Sequence, residues 1–212
     1  MKRHLFVVIV PRMGSNLSAL VFQPPEVTYL QAKRYLVWLQ TSKLATIPAF
    51  YIDRKAKVTI LFSHGNAEDL GMILEWFLEF SQEVHVNILA YDYEGYGKSK
   101  GRPSEEGCYE DIDAAYAFLT QTMRTPPEQI VLYGRSLGSG PSCYLAERLH
   151  KAQVVLGGLI LQVGTLNPFL TSNLTTTFNS PARGIHYRHR SYLYSELPST
   201  FAPPCPMICS QT

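Results

Sequence analysis

Cysteine is scarce in this chain of 212 residues: Cys108, Cys143, Cys205 and Cys209 are its only four, irregularly spaced. Cys205 and Cys209 are separated by three residues, and no His/Cys cluster elsewhere completes a zinc site, so the pattern excludes a disulfide framework and a structural metal. Reduced thiols in an intracellular, cytoplasmic protein are expected, with no metal and no cofactor. Charge of either sign is also low. A net charge of +2 is too small to point to nucleic acid or an acidic partner. No run of apolar residues approaches membrane-spanning length. Met1-Lys2-Arg3-His4 before Leu5 to Val10 has the outline of a secretory leader, but the apolar run is short and Pro11-Arg12 ends it. A first β-strand or N-terminal segment is expected there, with peripheral contact at the cytoplasmic face of a membrane as the lesser alternative. Aspartate is missing from the last stretch altogether, since none follows Asp113.

What is present is a globular composition, with 46% apolar and only 17% charged residues. The chain is organised around Gln129 to Gly140. Ile130 to Tyr133 is a short apolar run of the kind a buried strand requires. Gly134-Arg135-Ser136-Leu137-Gly138 follows at once, and Ser139 to Leu149 reads as a helix. The G-x-S-x-G pattern therefore stands between a strand and a helix, the context of a nucleophile elbow. Ser136 on such a turn is pushed above the sheet. Gly134 and Gly138 remove the side chains that would block the turn. The helix N-terminus turns partial positive charge toward an oxyanion formed beside the serine. The bland alternative is a glycine-rich turn in some other α/β protein.

Further strands are expected at Tyr35–Leu39, Pro48–Ile52, Val58–Phe62, Val86–Asp92 and Val154–Gln162, and helices over Asp69–Val84 and Glu105–Met123. Strands alternating with helices make an α/β fold, a mainly parallel sheet with helices on both faces. Three regions follow: an N-terminal extension over 1–30 with no clear pattern, a core over 31–162, and a divergent tail over 163–212. The tail, rich in Ser, Thr, Pro, Tyr and Arg, has neither period and is expected to be poorly packed or disordered. The last strand would then have no neighbour on one side, an apolar edge prone to pairing.

Ser63-His64-Gly65-Asn66 ends a strand whose loop lies beside the elbow in such a sheet. Its main-chain N–H groups can complete an oxyanion hole with that of Leu137. Asn66 is the expected donor, with Ala67 the neighbouring possibility. His64 is expected to brace that loop rather than act as a base. Ser136 still needs a base. The later histidines are His150, at the wrong end of the elbow helix with Glu147, and His186 and His189, in a basic stretch with no acid before them after the last strand. The triad acid and base are unassigned. Asp92 is expected to end a strand beside the elbow strand and to hydrogen-bond the glycine-rich turn after it. Tyr133 and Cys143 are expected in the core, and Arg135 to reach substrate or solvent.

Phe62-Ser63-His64-Gly65-Asn66-Ala67, Asp69-Leu70-Gly71, Tyr91-Asp92-Tyr93, Gly95-Tyr96-Gly97, Gly101 to Glu105, Asp111 to Ala115 and Leu132-Tyr133-Gly134 resemble the alpha/beta-hydrolase domain-containing protein 17 family, in the same order and at similar spacing. Phe22 to Tyr29 resembles that family's N-terminal segment. The likeness covers about residues 19–162. It implies an α/β-hydrolase fold, here incomplete, and a serine hydrolase that removes palmitoyl groups from protein cysteines. Ser136 would be the nucleophile, Asn66 and Leu137 the oxyanion hole, and an acylated protein or lipid ester the substrate. Two departures stand out. This chain has no cysteine before Cys108, whereas the family carries an N-terminal cysteine cluster. Residues 163–212 replace the two strand–helix units that bear the family's triad Asp and His. A truncated, spliced or mispredicted end would give that pattern, and little turnover is expected. A silent acyl- or protein-binding module and a non-functional fragment are the alternatives; no oligomeric state is assigned.

Overall fold

The computed structural model describes residues 22–29 and 33–162. In chain order they form β1 (Leu36–Gln40), β2 (Thr46–Ile52), β3 (Thr59–Ser63), α1 (Leu70–Glu83), β4 (Asn87–Tyr91), α2 (Glu105–Ala117), β5 (Ile130–Arg135), α3 (Ser139–Lys151) and β6 (Gly158–Gln162). The six strands lie in one sheet, ordered β1-β2-β4-β3-β5-β6. β3, β4, β5 and β6 run parallel, while β1 and β2 pair antiparallel and β2 joins β4 antiparallel. The sheet is thus mostly parallel, as the alternation of strands and helices predicts.

The central strands are buried on both faces, which is why β3 and β4 carry short apolar runs, Ile60–Phe62 and Ile88–Tyr91. Successive side chains alternate between two cores. Leu61, Leu89 and Leu132 meet Ile112, Ala115, Leu145 and Leu149 of α2 and α3. Ile60, Phe62, Ile88 and Val131 meet Leu70, Ile73 and Phe77 of α1 on the other face. Two of the three crossover helices, α1 and α2, begin on a side-chain cap. Asp69 accepts from Met72 N at 3.0 Å and Ser104 from Gly107 N at 3.0 Å, each worth about 1 kcal/mol.

Four expectations need correction. The helix expected to reach Met123 ends as an α-helix at Ala117 and continues as a π-turn over Phe118–Thr122. The wider turn buries Leu119 and closes with Met123 N on Phe118 O, ahead of Arg124 at φ +56°. The last strand starts at Gly158, not Val154. Gly157 N is drawn onto Ile130 O at 2.9 Å, and Val155 is exposed. Asp92 does not end a strand beside β5, because β3 lies between β4 and β5. Cys143 is exposed on α3, not packed in the core. Among the described residues no helix is long and apolar enough to cross a membrane. The strand expected over 5–10, the tail 163–212 and its His186, His189, Cys205 and Cys209 lie outside the described residues.

Candidate active site

The register of the sheet brings the ends of β3, β5 and β6 level: Ser63 pairs with Gly134, and Arg135 with Gln162. At this edge β5 stops, and Ser136 enters a single 3₁₀ turn, Ser136–Gly138, that runs straight into α3. Ser136 has φ +50°. A non-glycine residue in that region is strained and persists only where its surroundings over-determine it. The surroundings are main-chain atoms at close range. A Cβ on Gly138 would overlap the carbonyl of Ser63, and one on Gly134 would stand 2.5 Å from Gly138 O. Both glycines are therefore required by the approach of backbone to backbone, as the motif suggests. The turn holds Leu137 one residue beyond the serine. N–H groups in a first helical turn lack acceptors within the helix.

The loop after β3 lies against this turn: a Cβ on Gly65 would be 3.6 Å from that of Ser136. His64 is 1% exposed. Its Nδ1 faces Gly65 O at 2.7 Å, its Nε2 lies 3.4 Å from Asp92 Oδ1, and its ring packs on Tyr93 with centroids 4.4 Å apart. Tyr93 Oη in turn donates to His64 O at 2.8 Å. His64 is thus built into the loop, with both ring nitrogens turned to loop and core. Asn66 Oδ1 accepts from Tyr96 Oη at 2.7 Å, from Gln23 N at 2.9 Å and from Ala67 N at 3.1 Å. The Ala67 N–H is therefore engaged by the preceding side chain, and Ala67 itself sits at φ +55°.

Arg135 keeps about a quarter of its side chain exposed but is tied into the site. Its Nε and Nη2 donate to Glu68 Oε2 at 3.1 and 2.5 Å, and its guanidinium lies over the Phe62 ring. The same oxygen accepts from Gly65 N at 2.8 Å. Glu68, absent from the sequence expectations, thereby ties the loop to the residue before the serine. Asp92 does not bond the glycine-rich turn directly. It accepts from Leu70 N at 3.0 Å and, through a short contact, from Tyr29 Oη, which itself accepts from Lys98 N of that turn at 2.9 Å. Gly97, at φ +51°, lets the turn close onto the carboxylate. Tyr133 is buried, as expected.

Among the described residues no group hydrogen-bonds the Ser136 hydroxyl. Deeper in, Ser142 Oγ, His64 Nε2 and Asp111 Oδ1 are buried without a hydrogen-bond partner. Burial pushes the Asp111 carboxyl up to about 7 although Glu94 N donates to it at 2.9 Å. No group of three or more His, Cys, Asp or Glu among the described residues could hold a metal ion.

A parallel sheet with a serine strained at a strand-to-helix turn, faced by an amide-rich loop, is the arrangement of one broad class. The alpha/beta hydrolase fold family matches residues 58–181, and the chain belongs to that family. Within it, the chain is similar to alpha/beta hydrolase domain-containing protein 17B of Xenopus tropicalis, 46% identical, and of Homo sapiens, 34% identical, each over 69% of this chain and 60% of the relative. The chain thus spans 60% of the length of these two relatives. In fold it is like an alpha-beta hydrolase from Vibrio vulnificus, with a TM-score of 0.54 and 23% identity over 70% of this chain and 50% of that one.

Proposed function

We propose that this chain carries a serine acyl-transfer site acting on acyl thioesters of palmitoyl-cysteine type, or on lipid esters. The observation that carries the reading is Ser136 at φ +50° on the β5–α3 turn, with Gly138 pressed on Ser63. Such strain lifts a hydroxyl clear of the sheet while aiming a helix start at it. Similarity to the domain-containing protein 17 relatives supports the thioester class. Ser136 Oγ attacks the acyl carbon as its proton passes to a base. The carbonyl oxygen takes the negative charge, facing the N–H groups of Leu137 and Asn66. The C–S or C–O bond then breaks, and the thiolate or alkoxide leaves with the proton. Water attacks the acyl-serine by the same route in reverse. His64 and Asp92 hold the loop and take no proton from Ser136. No described residue supplies the base at Ser136 or the acid that would orient it, and both stay unassigned.

A second reading rests on the same gap: with no described group on the Ser136 hydroxyl, the chain would hold acyl ligands without turnover. A fluorophosphonate probe separates the two. The hydrolase reading expects labelling at Ser136 that Ser136→Ala abolishes, together with release of thiol from an S-palmitoyl peptide. Acyl-ligand binding with neither labelling nor thiol release supports the silent module and overturns the hydrolase.

A further inference from the structure

The segment Phe22–Tyr29 has no regular secondary structure and no periodicity, yet it is anchored at both ends and along its length to the loop after β3, which lies against Ser136, and to the start of α1. Phe22 is buried in the core beneath α2 and α3, and Tyr29 in the core beneath α1, so the segment crosses from one core to the other. Pro24 and Pro25 stiffen it between. Gln23 N donates to Asn66 Oδ1 and lies 3.1 Å from Tyr96 Oη. Thr28 N and Oγ1 both donate to Asp69, the residue that caps α1. Tyr29 Oη donates to Asp92. Gly71, in the first turn of α1, makes room for it: a Cβ there would lie 2.8 Å from Tyr29 N.

The endpoint of these contacts is Asp92, fully buried at the end of β4. One of its oxygens holds Leu70 N at the start of α1 and faces His64 Nε2. The other is held by Tyr29. A buried carboxylate needs donors on both oxygens to keep one orientation, and the low dielectric makes each of them count. The Tyr29 ring is itself fixed edge-on against Phe50, with centroids 5.2 Å apart.

We propose that Tyr29 is a positioning residue for the loop Gly65–Asp69: through Asp92 it sets His64 and the start of α1, and with Gln23 and Thr28 it straps the loop in the geometry that receives the oxyanion. The oxyanion part of this statement rests on the hydrolase reading above; the strap itself does not.

The test uses the full 212-residue chain and Tyr29→Phe, which keeps the ring against Phe50 and removes only the hydroxyl. Amide hydrogen exchange over residues 65–70 should quicken about tenfold or more, the scale set by losing a hydrogen bond to a charged group, while β5 and α3 stay within about twofold. With a fluorophosphonate, the maximal labelling rate should fall about tenfold with half-saturation unchanged, because the loop acts on the transition state rather than on binding. Unchanged exchange over 65–70 overturns the proposal, and so does an equal loss of protection in every element, which marks a merely structural tyrosine. Should Tyr29→Phe not fold, Gln23→Pro at the exposed end of the strap removes the N–H that Asn66 receives. The same regional quickening supports the strap, and its absence sinks it. A wild-type chain that takes no label defeats the hydrolase reading alone, and the exchange measurement still decides the strap.

Discussion

On the loop side of the candidate site, Asn66, Asp69 and Asp92 gather donors from the strap, from the glycine-rich turn and from the start of α1. On the serine side, Gly134 meets the main chain of Gly138 and Gly138 that of Ser63, and the Ser142 hydroxyl buried beside Gly134 has no hydrogen-bond partner. One half is held by directional hydrogen bonds to acidic and amide oxygens, the other by steric exclusion around a strained residue. The two respond differently to damage. A hydrogen bond can be weakened by degrees, whereas two overlapping main-chain atoms leave no room to relax. The loop side also has weak points, since His64 Nε2 and Asp111 Oδ1 lack hydrogen-bond partners.

Substitutions can break or sharpen that contrast. The largest effect on chemistry belongs to Ser136→Ala, which should abolish fluorophosphonate labelling while leaving thermal unfolding nearly unchanged; residual label would move the nucleophile elsewhere. Gly138→Ala should give the largest loss of stability, about 3 kcal/mol or more, because its Cβ would fall on the Ser63 carbonyl. Denaturant unfolding measures it, and a loss below about 1 kcal/mol would contradict the steric account.

Asp111→Asn probes the loop side through pH. The folded carboxyl stands at about 7, raised from 3.8 chiefly by burial. Folding therefore favours the protonated form. That stabilisation is full below pH 3.8 and is lost as pH rises through about 7. Relative to Asp111→Asn, the wild type should lose roughly 3–4 kcal/mol between pH 4 and pH 8. Denaturation midpoints at the two pH values provide the check, and parallel curves would place Asp111 in water. Glu68→Gln should have the smallest effect. Its carboxylate and Arg135 are 27% and 25% exposed, so solvent screens the pair and about 0.5–1 kcal/mol is expected. Faster exchange of the Gly65 amide should accompany it, since Glu68 Oε2 is that amide's acceptor.

The parts of the fold that depend on local period were legible. The alternation of apolar runs placed every strand of the sheet to within a few residues, and Asp69 and Ser104 mark their helix starts because capping is a local hydrogen bond. The elbow was legible for the same reason: glycines on either side of one serine, between a strand and a helix, have few other uses. The order of the strands was not, and that error put Asp92 beside β5 when β3 intervenes. Cys143 misled because its neighbours on α3 are buried while its own position on the helix faces outward. Tyr29 carried no periodic signal, only its place in a stretch that resembles known relatives, and Glu68 carried none. Their partners lie tens of residues away, Asp92 for the one and Arg135 for the other.

By itself, the sequence determined an α/β chain with one serine raised on a glycine-flanked turn, because strand, helix and tight turn are set by neighbours a few residues apart. Only the tertiary structure decided what surrounds that serine: the Glu68–Arg135 tie, the His64–Asp92–Tyr29 chain and the strap across the loop. Those contacts join residues 28 to 67 positions apart, and a buried carboxylate selects its donors by distance in space, which no local pattern records.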